Sequence, residues 1–86
     1  MVTALARIAR LAGPPDLDAA TVTALLWDTA TTADRIEHVR ARAGPDGIDI
    51  LAFLDLTDPE EAHLRLRALV QRAIATTPRL RAWRVI

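Results

Sequence analysis

The chain contains no cysteine, lysine, serine, tyrosine or asparagine. Each absence removes a class of chemistry. Without cysteine there is no disulfide framework, no thiolate nucleophile and no sulfur-ligated zinc site. Without serine, lysine and tyrosine there is no seryl acyl-enzyme, no Schiff base and no phenolic acid. Aromatic residues are scarce as well, with only Trp27, Phe53 and Trp83 present, so a core must be assembled from Ala, Leu, Val and Ile. No excess of either charge exists: 11 basic residues, all arginine, balance 11 acidic ones. A chain without net charge offers no global field to hold nucleic acid or an anionic membrane. No apolar run reaches the roughly 18 to 20 residues of a membrane span, and Arg7 and Arg10 interrupt the N-terminal segment where a secretory signal is apolar. With no cysteine either, a cytoplasmic location is expected.

What is present reads as one domain over residues 1–86. A domain of 86 residues buries only roughly 60 to 65 per cent of its unfolded surface, so help from a partner surface is expected. The central signal is Gly44-Pro45-Asp46-Gly47, a turn tetrapeptide between two apolar-patterned runs over 36–56. A helix is expected on each side of this hairpin and one extended run at each end. The first run, Val2 to Leu11, could be strand or helix: alternation puts Val2, Ala4, Ala6 and Ile8 on one side against Leu5, Arg7 and Leu11 on the other, while its alanines favour helix. After the Gly13-Pro14-Pro15-Asp16 break, Asp16 or Asp18 can cap a helix over about 17–31, with Val22, Leu25, Leu26 and Thr29 at helical spacing. A competing reading makes 21–27 a strand and 32–43 a helix, but it leaves the turn unused and 36–43 poorly amphipathic.

The second helix is the clearest element. Asp58 stands as N-cap, Pro59 at N1 and Glu61 at the position that closes a capping box. Ala62, Leu66, Leu69, Val70 and Ala73 then form one apolar stripe until Thr77-Pro78 ends it. Residues 80–86 read as a last strand. The expectation is a ferredoxin-like α+β sandwich, β-α-β-β-α-β, whose four-stranded antiparallel sheet has order 4-1-3-2 and both helices on one face.

Register decides which residues are buried, because one residue of slip exchanges the two faces of a strand. A three-residue loop with a bulge at Gly47 would set Ala43 opposite Asp49. An even loop closes Ala43 against Ile48, sends Val39, Ala41, Ala43, Ile48, Ile50 and Ala52 beneath the helices, and pairs Arg42 with Asp49 on the other face. The pattern favours the even loop, a four-residue turn with Pro45 first and Gly47 in a left-handed conformation.

On that register the helix-free face carries His38, Arg40, Arg42, Asp49, Leu51, Phe53 and Asp55, joined by Leu5 and Arg7 and at the far edge by Trp83 or its neighbours. Leu51 and Phe53 lie mid-sheet as an apolar patch rimmed by charge, which marks a surface that another molecule covers. Leu51, Phe53, His38, Arg40, Arg42 and Trp83 are therefore the expected partner-binding residues. A homodimer is the simplest cover, since one patch then serves both copies.

Catalysis has one candidate, His38, a titratable group near Phe53 and Asp55 that could act as a base if a pocket formed over it. A half-buried interface histidine is the plainer account. His63 reads as surface. His38, Glu37, Asp49 and Asp55 have no metal-ligand spacing, so no metal and no cofactor is expected. Arg7, Arg40, Arg42 and Phe53 share a topology with RNA-recognition domains, but the basic-and-aromatic consensus of those domains is missing, and nucleic acid is disfavoured. The Gly13-to-Asp16 corner lies where regulatory amino-acid-binding domains of this topology hold ligand, although a turn and helix cap explains it at lower cost. Arg65, Arg67, Arg72, Arg79, Arg81 and Arg84 make the C-terminal third basic.

The expected function is a small non-enzymatic interaction or assembly module, self-associating through the helix-free face as an accessory or regulatory partner. The alternative is a cofactor-free small-molecule enzyme or ligand-binding protein of the dimeric α+β barrel type, with a pocket near His38.

Overall fold

A computed structural model describes residues 1–13 and 16–86; Pro14 and Pro15, half of the corner considered above for ligand binding, lie outside the described residues. The elements run β1 (Val2–Arg10), α1 (Ala19–Thr29), β2 (Ile36–Ala43), β3 (Ile48–Leu54), α2 (Pro59–Thr76) and β4 (Trp83–Val85), with short 3₁₀ turns at Thr32–Asp34 and Pro78–Leu80. The strands form one antiparallel sheet in the order β2-β3-β1-β4. Both helices pack on the same side of it, giving an α+β fold. Among the described residues no helix is long and apolar enough to cross a membrane.

Strand alternation builds the core. Ala4 and Ile8 of β1, Val39 and Ala41 of β2, and Ile48, Ile50, Ala52 and Leu54 of β3 point to the helix side and are buried. They meet Val22 and Leu26 of α1 and the stripe Ala62, Leu66, Leu69, Val70 and Ala73 of α2. The stripe holds because those positions recur at the helical period, so one narrow face of α2 covers the sheet.

The hairpin takes the even register. Ala43 pairs with Ile48 and Arg42 with Asp49, and the Gly44 N–H donates to the Gly47 carbonyl at 2.7 Å. The reason for Gly47 differs from the expected one. It is not left-handed; among the described residues Gly13 is the glycine with positive φ, at 81°. Gly47 instead runs against β1, where a Cβ would stand 2.1 Å from the Ile8 carbonyl oxygen. No side chain fits there without moving backbone.

A second device was not legible in the pattern. Ile36 pairs with Leu54 and His38 with Phe53, so Glu37 is an extra residue in β2 and the strand bulges. The bulge lets Ile36 and Val39, an odd number of residues apart, both face the helices, and it puts His38 on the opposite side.

The helix ends follow their caps with one substitution of roles. Asp18 accepts from the Thr21 N–H at 2.7 Å. Hydrogen bonding to Thr21, from its side-chain hydroxyl first and its amide second, holds the Asp18 carboxyl below its ordinary range. Asp58 caps α2 by accepting from the Glu60 N–H at 3.0 Å. Glu61 does not complete a capping box and reaches Arg65 one turn on, at 3.3 Å.

The C-terminal strand is shorter than expected, because residues 78–80 form a 3₁₀ turn. Trp83 pairs with Arg10, on the parity of Ile8, and so turns to the helix side. It is 2% exposed and its indole N–H donates to Asp16 at 3.2 Å. The expectation of Trp83 as a partner-binding residue on the helix-free face is therefore corrected: it is a core residue, and its polar end is satisfied internally.

Candidate functional site

The helix-free side of the sheet is organised as cross-strand rows. From β2 inward, His38, Phe53 and Thr3 form one row, Arg40, Leu51 and Leu5 the next, and Arg42, Asp49 and Arg7 the third. Side chains directly opposite in antiparallel strands lie about 5 Å apart at Cβ, so each row is a line of touching groups. Ile86 extends the third row, its N–H donating to the Arg7 carbonyl at 2.9 Å.

The apolar members are incompletely covered. Leu5 is 61% exposed, and Leu51 and Phe53 are half-buried although β3 is a central strand. His38 lies over Phe53 with ring centroids 6.1 Å apart and planes tilted by 32°. Leu5, Leu51, Ile86, Arg7, Arg40, Arg42 and Asp49 line an open depression of about 750 Å³.

Charge in the third row is unevenly satisfied. Arg7 donates from Nε to Asp49 at 2.6 Å, and that hydrogen bond raises the guanidinium's pKa above its ordinary value. Asp49 stands between two arginines, yet the Arg42 guanidinium makes no hydrogen bond or ion pair with any described residue, and neither does that of Arg40. Asp55, placed on this face by the sequence pattern, lies beyond the end of β3 and pairs with Arg35 at 3.0 Å.

Of the expected site residues, Leu51, Phe53, His38, Arg40 and Arg42 share this face and Trp83 does not. His38 is exposed and does not line the depression. Among the described residues its side chain makes no hydrogen bond or ion pair with an acid or an arginine. Among the described residues no group of three His, Asp or Glu converges as metal ligands. The basic C-terminal third is also divided, since Arg65 donates to the Ala33 carbonyl at 2.6 Å and Arg72 to Asp34 at 2.6 Å.

That last contact belongs to a cluster which sequence patterning missed. Asp34, 7% exposed, accepts from the Thr31 N–H at 2.7 Å and from Arg72, tying the turn before β2 to α2. Burial pushes its carboxyl up, but the Thr31 amide and the Arg72 guanidinium more than offset this and hold it below the ordinary range. Thr31 and Asp34 at i, i+3 carry the Thr-x-x-Asp signature of a reciprocal cap, which was the available signal.

The sheet edges differ from the face. β2 is an edge strand, and the Ala41 N–H, which faces away from β3, donates at 2.9 Å to the Thr23 hydroxyl of α1. The same hydroxyl donates to the Ala19 carbonyl at 3.0 Å. Thr23 thereby occupies the middle of the edge that another strand would need. The opposite edge, β4, has only 3 residues. No family model matches this chain, and no curated protein or solved structure matches it either.

Proposed function

We propose that the chain is a small non-enzymatic interaction or assembly module of ferredoxin-like architecture, which self-associates by stacking the helix-free face of its sheet on that of a second copy. The element order β-α-β-β-α-β and the strand order β2-β3-β1-β4 support the architecture. The observation that carries the function is the exposed Leu5 and half-covered Leu51 and Phe53 at the middle of a face that no element among the described residues overlies. Apolar side chains at the centre of a sheet, rimmed by arginine, have the anatomy of an interface core and rim. Face stacking is preferred to edge pairing because Thr23 blocks one edge and β4 is too short to offer the other.

Sedimentation velocity over a concentration series tests this. A monomer–dimer equilibrium is expected in the micromolar range, abolished by Phe53→Asp and by Leu5→Glu. Leu5 is so exposed that its replacement leaves the core intact, which separates loss of association from loss of folding. A chain that stays monomeric at high micromolar concentration, with both variants behaving like the parent, rules the proposal out.

A further inference from the structure

We propose that the depression on the helix-free face is a binding site for a small organic carboxylate with an apolar body, such as a medium-chain aliphatic acid. This goes beyond self-association and stands on a separate observation, the imbalance of charge around the depression.

Among the described residues three guanidiniums, those of Arg7, Arg40 and Arg42, line it against a single side-chain carboxylate, Asp49. Asp49 is already committed to Arg7 at 2.6 Å. Arg40 and Arg42 are left beside each other on one side of β2, two residues apart, with no anionic partner among the described residues. A guanidinium presents a planar fork of donors that matches a carboxylate in geometry as well as charge, so this pair supplies what a carboxylate head requires. The floor is of the other kind. Leu5 and Leu51 lie directly opposite each other, in the same row as Arg40, with Ile86 at the end of the neighbouring row beside Arg7. An aliphatic chain laid along that row from a head held at β2 covers the exposed leucines and leaves no polar group unpaired. The volume of about 750 Å³ lies within the range of small-molecule sites.

Selectivity follows from this division. A short carboxylate gains the head contact alone, an alcohol of equal chain length gains the floor alone, and only a molecule with both uses the whole site. A polyanion is less well matched, because the Asp49 carboxylate stands next to Arg42.

The test is a titration of isotope-labelled protein with octanoate, acetate and octan-1-ol, followed by amide shifts, at a protein concentration where sedimentation finds it monomeric. A missing dimer then leaves the site standing, and a missing ligand leaves the dimer standing. Octanoate is expected to bind about ten-fold or more tighter than either comparison compound, a difference of roughly 1.4 kcal/mol, with shifts confined to β1, β2 and β3. Arg40→Gln combined with Arg42→Gln should remove that advantage while leaving the unfolding curve unchanged, since both side chains are exposed. Octanoate binding no tighter than acetate, shifts centred on the helices, or undiminished binding by the double variant would each overturn the assignment.

Discussion

The two faces of one sheet are built from alternate residues of the same strands, yet they obey different rules. On β3, Ile50, Ala52 and Leu54 have no exposed surface, while Leu51 and Phe53, their immediate neighbours in sequence, are only half covered. The helix side is apolar from Ala4 to Leu54 apart from Arg10 at the end of β1. The open side interleaves leucine and phenylalanine with arginine, histidine and aspartate. Apolar content alone therefore does not mark the core. What distinguishes the core is that both helices bring matched stripes to it, whereas the open face has apolar centres without a matched surface in its own chain.

The sharpest way to break this contrast is to truncate one residue on each side of β3. Leu54→Ala removes a fully buried side chain of the core cluster and should cost about 2 to 5 kcal/mol in urea-induced unfolding. Leu51→Ala removes the same atoms from the open side and should cost about 1 kcal/mol or less when the protein is monomeric. Equal losses would mean that Leu51 is already buried in solution, and the open face would then not be open.

Next in size is the hairpin that sets the register separating the faces. Gly47→Ala forces a methyl group against the Ile8 carbonyl and should cost about 1 to 3 kcal/mol, by overpacking rather than by φ strain. The comparison variant is Gly44→Ala, whose added carbon meets only the movable Asp49 carboxylate at 3.0 Å. If Gly44→Ala is the more damaging of the two, the close approach of the turn to β1 is not what selects glycine at 47.

A smaller effect belongs to Asp34, on the helix side of the molecule. Asp34→Asn should cost about 1 to 2 kcal/mol at neutral pH, since the Arg72 guanidinium that it leaves is partly solvated. The sign of the pH dependence is fixed by the lowered pKa. The folded state holds the carboxylate more tightly than the unfolded chain does, so its contribution is complete above the unfolded value of about 3.8 and fades as pH falls through the lower, folded one. The gap between parent and variant should accordingly be constant from pH 7 to about pH 5 and close below about pH 4. A gap that widens in acid would reverse that assignment.

Much of this architecture was legible in local chemistry. The Asp58-Pro59 start of α2, the stripe from Ala62 to Ala73, and the even turn at 44–47 each rest on short-range rules that tertiary packing reinforced. The failures were also physical. The bulge at Glu37 breaks the strand period by one residue, and no alternation count can place such a break without knowing the partner strand. The face of Trp83 has no local signal, because the last strand follows a 3₁₀ turn at residues 78–80 and only its pairing with β1 fixes its parity. Asp34 went unread because Thr-x-x-Asp caps a single turn and the residue that completes its site, Arg72, is 38 positions away. Of the open face, the residues on β2 and β3 were legible from register, whereas the commitment of Asp49 to Arg7 instead of Arg42 depends on geometry across three strands.

The finest distinction between the faces is electrostatic, and ionic strength reads it. Arg7, Arg40, Arg42 and Arg84 rise from the open side of the sheet against, among the described strand residues, the single acidic side chain of Asp49, although the chain as a whole is neutral. Two such faces stacked on each other bring like charges together, so their association draws on Leu5, Leu51 and Phe53 and is opposed by the arginine rim. Added salt weakens that opposition, with a screening length that shrinks from about 10 Å at 0.1 M to about 3 Å at 1 M. The dimer should therefore tighten, by a factor of a few, as sodium chloride rises from about 50 to 500 mM, and Arg40→Gln should tighten it at low salt. The helix side supplies the control, because its many acids would make an interface there respond differently. A dimer whose affinity is unchanged or lowered by salt, in sedimentation equilibrium on the same series, would have to be held by some surface other than the arginine-rimmed face.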